Sequence, residues 1–276
     1  MHHFVFIEYR ILDNDSLQSK IHVHNDSYEI SQIVEGSGNF LIGESPYPFK
    51  AGAVYLTKPV QLHCSHANEG HPYIRSKLAV NAAYLEQVLN ALGISTYIDS
   101  IFEKDEGQYI PLPPKTANQV DSLFKRMYED SQKKAPDTNA KMLLTLIDIL
   151  LICKSATIST EKEEKPISDP LIFRTIKYIN FNISSELTVD IIAKELFISK
   201  YYLCRKFKKY LGISIMKYIL NQRLTLAKAQ LINSNNKCSD IAMSTGFSSF
   251  SYFCRIFKEE EGVSPSTYRK LHGKRN

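Results

Sequence analysis

The sequence predicts an α+β chain of two domains. An N-terminal β-sandwich or barrel with attendant helices precedes an all-α domain carrying two helix-turn-helix units. Three observations carry that reading. Short apolar stretches alternate with turn clusters through residues 4–80, the rhythm of a sandwich or barrel. After Pro170 the pattern becomes seven helical segments with connections of two to four residues. Finally, segment 199–214 recurs at 249–264, identical at eight of sixteen positions with a constant offset of fifty.

Composition narrows the class. With 276 residues, 43% hydrophobic and 23% charged, the chain has apolar material for two cores and is not disordered. Its longest apolar run, Met142–Cys153, is broken by Thr145 and Asp148. That run falls well short of the roughly 20 residues a membrane span needs, so no membrane partner is expected. No charged n-region followed by an apolar stretch opens the sequence. Cysteines 64, 153, 204, 238 and 254 form no CxxC pair, which suits reduced thiols and a cytoplasmic location.

The N-terminal elements follow in order. Phe4–Ile7, Ile30–Val34, Phe40–Ile42 and Val54–Leu56 read as strands, separated by turn clusters at 35–38, 44–48 and 50–52. Asn81–Leu92 reads as a helix stopped by Gly93. Val120, Leu123, Phe124, Met127 and Tyr128 make one apolar stripe on a helix of roughly 116–132. A helix over 138–153 is apolar nearly all the way round, which fits either a subunit contact or burial inside the domain. Residues 1–154 are thus one domain, 155–168 a polar linker, and 169–276 the second domain.

In the second domain the punctuation is clear. Asp169-Pro170, Thr188, Ser199, Ser214, Ser248 or Ser249, and Ser264-Pro265 open helices. Gly212, Gly246 and Gly262 close three of them. Charge is distributed unevenly: from Pro170 onward there are 18 Lys and Arg against 7 Asp and Glu, a net of +11, while residues 1–169 carry −6. A basic module behind an acidic body points to a polyanion such as double-stranded DNA. Within the repeat, Leu203/Phe253 and Phe207/Phe257 lie four apart and read as core anchors. Arg205 and Arg255 fall on the opposite face, where a guanidinium can meet guanine or phosphate. The helix between the copies spans about 20 residues, roughly 30 Å, close to one turn of B-DNA.

Seven of the eight histidines lie in the first 71 residues, so imidazole chemistry belongs to the N-terminal half. His22-Val23-His24, Glu29 and Gly36, then Gly52, Pro59 and His63, resemble the pattern of the cupin superfamily, HxH-x4-E-x6-G being met in full. Lys50 stands where cupins usually carry proline. Two histidines two apart on a strand share a face, as metal ligands must. The reading taken here is metal-free and without cofactor: His22, His24, Glu29 and His63 line or border an effector pocket, suited to hydroxyl-rich ligands. His66 and His71 read as exposed turn residues.

Residues 169–271 resemble the DNA-binding domain of AraC-family transcriptional regulators. Carrying the match are Ile192-Ala193, Ser199, Leu203, Phe207-Lys208 and Gly212, then Arg223-Leu224, Ala227 and Leu231. Ile241-Ala242, Gly246-Phe247, Phe253, Phe257-Lys258, Gly262, Pro265 and Tyr268-Arg269 complete it. Residues 20–66 resemble the family's cupin-like effector domain. By that resemblance Lys200, Tyr201, Cys204 and Arg205 face DNA from the first recognition helix. Ser249, Phe250, Ser251, Cys254 and Arg255 do so from the second. Lys208, Lys209 and Lys258 are assigned to phosphates, which position without reading sequence.

The resemblance implies a regulator controlled by a small-molecule effector, a sugar among the candidates, acting as a homodimer with RNA polymerase as a further partner. An enzyme is not expected. The alternative weighed against it is a metal-dependent cupin enzyme, an isomerase or dioxygenase, fused to a nucleic-acid-binding module. No separate acid/base pair supports that alternative.

Overall fold

Alternating side chains in the N-terminal half resolve into strands β1 (Val5–Leu12), β2 (Ser27–Glu35), β3 (Gly38–Ile42), β4 (Ser45–Pro48), β5 (Val54–Thr57), β6 (His63–Ala67) and β7 (Ile74–Asn81). The computed structural model describes residues 5–12, 22–24, 26–68, 73–102, 108–133, 135–160 and 169–273. Helices α1 (Ala82–Ala91) and α2 (Ser95–Asp99), strand β8 (Gln108–Ile110), and helices α3 (Pro114–Ser131) and α4 (Thr138–Thr160) follow. Two antiparallel sheets result, one ordered β1-β7-β2-β5-β8 and the other β4-β3-β6.

Strand β2 is buried on both faces, for two different reasons. Ile30 joins Val54, Leu56, Leu78 and Val80 in a core built with α1, α3 and α4. One residue out of phase, Ile33 joins Tyr55, Phe40, Tyr47 and Tyr73 in a second, aromatic core. Phe40 stacks on Tyr55 at 4.6 Å and Phe49 on Tyr73 at 4.8 Å.

Several expectations shift here. The turn expected at 44–48 is instead β4, with Pro46 opposite Leu41 and Pro48 opposite Asn39. Because β4 is an edge strand, its prolines forfeit no required ladder hydrogen bond. His66 is not in a turn but in β6, opposite Asn39 and half-buried; His71 lies outside the described residues. Helix α4 continues to Thr160, past the expected linker start, because Ala156 still packs on the core. Positions 161–168 of that linker lie outside the described residues.

On α3, Val120, Phe124 and Met127 are fully buried, Leu123 half-buried, and Tyr128 38% exposed at the stripe's edge. Of the two readings left open for the apolar helix, burial accounts for Leu146, Ile149, Leu150 and Cys153, which are fully buried. Leu144, 63% exposed, remains on the outer face.

The second unit, Pro170–Asn276, comprises α5 (Pro170–Phe181), α6 (Val189–Glu195), α7 (Lys200–Leu211), α8 (Ile215–Asn233), α9 (Cys238–Ser244), α10 (Phe250–Glu261) and α11 (Pro265–His272). Hydroxyl caps start five of these: Thr188, Ser199, Ser214, Ser249 and Ser264 each accept a first-turn amide at 3.2–3.3 Å. Helix α8 serves both halves. Its first turns bury Ile215, Tyr218 and Ile219, and its last turns supply Leu224, Ala227 and Leu231 to a core with Phe253, Phe257 and Tyr268.

Arg223, midway along α8, ties the halves together. Its Nε donates to the Ile183 carbonyl at 3.1 Å and its Nη2 to the Ser185 carbonyl at 2.8 Å. Gly246 packs into the same place: at φ +86°, a Cβ there would lie 2.4 Å from the Ile183 oxygen and 2.7 Å from Arg223 Nε. Ser184 Oγ donates to the Ser244 carbonyl at 2.7 Å, closing the seam.

Candidate DNA interface and effector site

Each helix-turn-helix is built the same way. Ala193 and Ala242 are buried where the paired helices cross, and Leu203, Phe207, Phe253 and Phe257 are fully buried beneath the second helix. This orients the opposite face of α7 and α10 outward. Lys200, Tyr201, Cys204, Arg205, Lys208 and Lys209 are exposed, as are Ser249, Phe250, Ser251, Arg255 and Lys258. Cys254 differs from the others: it is half-buried against the α8–α11 core, and burial pushes its thiol pKa up.

The two helices are electrostatically unequal. Helix α7 carries five cations and no acid, whereas α10 carries Arg255 and Lys258 beside Glu259, Glu260 and Glu261. Arg255 is also engaged, its Nη1 lying 3.1 Å from Glu259 one turn on. Glu260 takes Lys217 at 2.5 Å and Glu261 takes Lys228 at 2.9 Å, so two of the acids fasten α10 to α8. On α7, Lys200 pairs with Asp190 of α6 at 2.9 Å. Among the described residues Arg205 meets no acidic group. The first half therefore presents more cationic surface to a phosphate backbone than the second.

The turns between helices differ as well. Phe197 N bonds to the Lys194 carbonyl and Ile198 N to that of Ala193; in the second copy Gly246 and Phe247 repeat both bonds. Phe197 thus occupies the position Gly246 fills, left-handed at φ +58°, with its ring 91% exposed. A constant offset of fifty conceals this, because the second turn is one residue longer.

In the N-terminal unit, His22, His24, Glu29 and His63 converge, their ligand atoms all within 4.8 Å of one another. Position follows from the sheets. Glu29 lies on β2 of the larger sheet and His63 on β6 of the smaller, while His22 pairs with His63 through two backbone hydrogen bonds of 3.1 and 3.0 Å. Glu29 is buried; its Oε2 lies 2.9 Å from His24 Nε2 and 3.7 Å from His63 Nε2, and its Oε1 accepts from Ser31 Oγ at 3.0 Å.

Burial would raise the Glu29 pKa. Hydrogen bonding to His24 and the charges of His63 and Lys77 outweigh it and hold the carboxyl well below the ordinary carboxylate range. Sequence reasoning missed three supporting groups. Ser31 and Gln61 lie two residues from Glu29 and His63, a spacing visible in the sequence. Lys77, 3.8 Å from Glu29 and 3.5 Å from Glu8, is brought in by strand pairing.

A separate cavity of about 520 Å³ lies where β2 meets α3, lined by Arg10, Gln32, Lys50, Gly52 and Asp121 among others. None of the four clustered residues lines it.

Among the described residues, no helix is long and apolar enough to cross a membrane. Comparison with known proteins matches an AraC-like ligand binding domain over residues 7–146 and a helix-turn-helix domain over 192–271. The HTH-type transcriptional regulator YfiF of Bacillus subtilis is 26% identical over 259 residues, covering 91% of this chain and 79% of YfiF. Regulatory protein PocR of Salmonella typhimurium is 33% identical over 102 residues, 37% of this chain and 34% of PocR. Regulatory protein SoxS of the same organism is 35% identical over 99 residues, 36% of this chain and 92% of SoxS. The ligand-binding match spans half the chain and the helix-turn-helix match takes in the duplicated basic module: the chain belongs to the AraC family and is a DNA-binding transcriptional regulator with an N-terminal ligand-binding domain.

Proposed function

We propose that the regulator is controlled by a small hydroxyl-bearing effector, a sugar being one such compound, engaged at His22, His24, Glu29 and His63. DNA is read by Lys200, Tyr201, Arg205, Ser249, Phe250, Ser251 and Arg255. Cys204 and the half-buried Cys254 flank the readers, and Lys208, Lys209 and Lys258 set phosphate register. The observation supporting this division is that Arg205 and Arg255 are displayed at the same position of two helices whose inner faces are locked by Phe207 and Phe257.

Effector binding biases the protein between states that differ in which DNA sites a homodimer spans. RNA polymerase is the partner through which occupancy is converted into transcription, in the cytoplasm. Sequencing the DNA bound by the protein in cells tests the reading. It should return one recurring bipartite motif whose halves lie about one helical turn apart. Uniform, sequence-independent occupancy would refute it.

A further inference from the structure

We infer that the cavity where β2 meets α3 is a second small-molecule site, built for a compact anion that carries hydroxyl groups, such as a sugar phosphate or a sugar acid. It lies apart from the four-residue cluster and does not depend on the role of that cluster. The carrying observation is Gln32, which is 1% exposed and lines the cavity. Its Nε2 donates to the Ala117 carbonyl at 2.9 Å and lies 3.5 Å from the Gly52 carbonyl. Carbonyl oxygens only accept, so the amide cannot be turned the other way round. Oε1 is thereby fixed as an acceptor, and it is buried with no donor among the described residues. A buried acceptor is costly to leave unmet. A ligand hydroxyl meets it, whereas a group that only accepts does not.

Neighbouring elements bring the cations. Gln32 lies opposite Ser76 in the β2–β7 pairing, and Ser76 Oγ accepts the Arg10 amide at 3.2 Å. There β1 departs from its register between Glu8 and Ile11, with Arg10 at φ +46°, the kind of irregularity that re-aims a side chain. The Arg10 guanidinium reaches Asp121 of α3, Nη2 at 2.8 Å and Nε at 3.3 Å. Asp121 thus orients Arg10 and cancels its charge, leaving Nη1 as a donor. Lys50 lines the same cavity, is exposed, and meets no acidic group among the described residues. It supplies the net positive charge. Helix α3 begins at the cavity with Pro113 and Pro114 and has no side-chain cap, so its positive end adds to the attraction.

The ligand class follows from these groups together. A volume of about 520 Å³ falls within the roughly 300–1,000 Å³ of small-molecule sites. One buried acceptor beside a lysine and a guanidinium asks for a hydroxyl and an anionic group on the same molecule. A cationic ligand is disfavoured, because Asp121, the one carboxylate among the described residues lining the cavity, is taken up by Arg10.

The test titrates the full-length chain by calorimetry with glucose 6-phosphate and with gluconate. Glucose and sulfate serve as probes that each carry one half of the chemistry. One equivalent of glucose 6-phosphate or gluconate should bind, and which of them binds more tightly distinguishes a phosphate from a carboxylate ligand. Glucose and sulfate should bind at least about tenfold more weakly. Affinity should fall at least about tenfold in Gln32→Met and in Lys50→Met, the latter at an exposed position that keeps the fold intact should Gln32→Met fail. Added salt should weaken wild-type binding more than that of Lys50→Met. Lys125→Met, exposed elsewhere on α3, should bind as wild type. No binding of either anion at millimolar concentration, or glucose binding as tightly as they do, overturns the site. Loss of binding in His24→Ala with none in Lys50→Met also overturns it, by moving the ligand to the histidine cluster.

Discussion

Replacing Phe197 by glycine should stabilise the C-terminal unit. Phe197 sits at φ +58°, a conformation that costs an L-residue roughly 1–2 kcal/mol. Glycine removes that strain but returns about 0.5–1 kcal/mol through the greater freedom of its unfolded chain. Packing adds little to either side, because the ring is 91% exposed. The backbone bonds around the turn are those Gly246 already makes in the second copy, so the fold accommodates glycine there. The net is a gain of about 0.5–1 kcal/mol, or about 2–8 °C in a domain of this size. Urea and thermal denaturation of residues 165–276 measure it. The matching change in the second copy has the opposite sign. Gly246→Ala drives a Cβ to 2.4 Å from the Ile183 carbonyl at φ +86° and should cost about 2–4 kcal/mol. A Phe197→Gly protein no more stable than wild type would refute the reasoning and show that the ring makes a contact worth the strain.

Arg205→Ala should weaken binding to the preferred site by about 1–3 kcal/mol and weaken binding to random duplex less; fluorescence anisotropy with both DNAs decides, and equal losses would make Arg205 a positioning group only. Because Arg255 is engaged by Glu259, Glu259→Gln should tighten binding and steepen its salt dependence, read from the slope of log affinity against log salt. Arg223→Ala strands the Ile183 and Ser185 carbonyls and should cost about 1–3 kcal/mol of stability; it should also weaken two-half-site DNA more than a single half-site. If the proposed homodimer forms through the outer face of α4, wild type should sediment as a dimer and Leu144→Lys as a folded monomer, a monomeric wild type refuting it; Leu146→Lys, at a fully buried position, should instead unfold the N-terminal unit.

Legibility in the sequence followed how local each signal is. Thr188, Ser199, Ser214 and Ser264 cap helices by bonds three residues long, so their helix starts could be read without tertiary information. Strand β4 could not be read so easily. Its prolines look like turn residues until β3 is known to lie on one side only. The four converging residues were readable as a set because their spacing is a motif. Lys77 was not, since it reaches Glu29 through the pairing of β7 with β2 and lies 48 positions away in the chain.

The same distinction explains why the repeat revealed the shared plan of the two DNA-binding halves and concealed their difference. Core positions recur because both copies solve one packing problem, a small alanine at the crossing and large side chains beneath the second helix. Surface charge is under no such constraint. Helix α10 devotes Glu260 and Glu261 to Lys217 and Lys228 of α8, fastening its own C-terminal turn at the expense of positive potential. The Lys228–Glu261 pair is largely buried, with side chains 7% and 19% exposed, and exchanging Glu261 for Gln would leave an ammonium unmatched in the interior. Helix α7 carries no acid of its own; Lys200 pairs with Asp190 of α6, while Arg205, Lys208 and Lys209 stay exposed. Under the proposed DNA-reading roles, this unequal charge predicts that removing cations from α7 weakens binding to random duplex more than removing them from α10, with binding of both variants to the same duplex as the measurement.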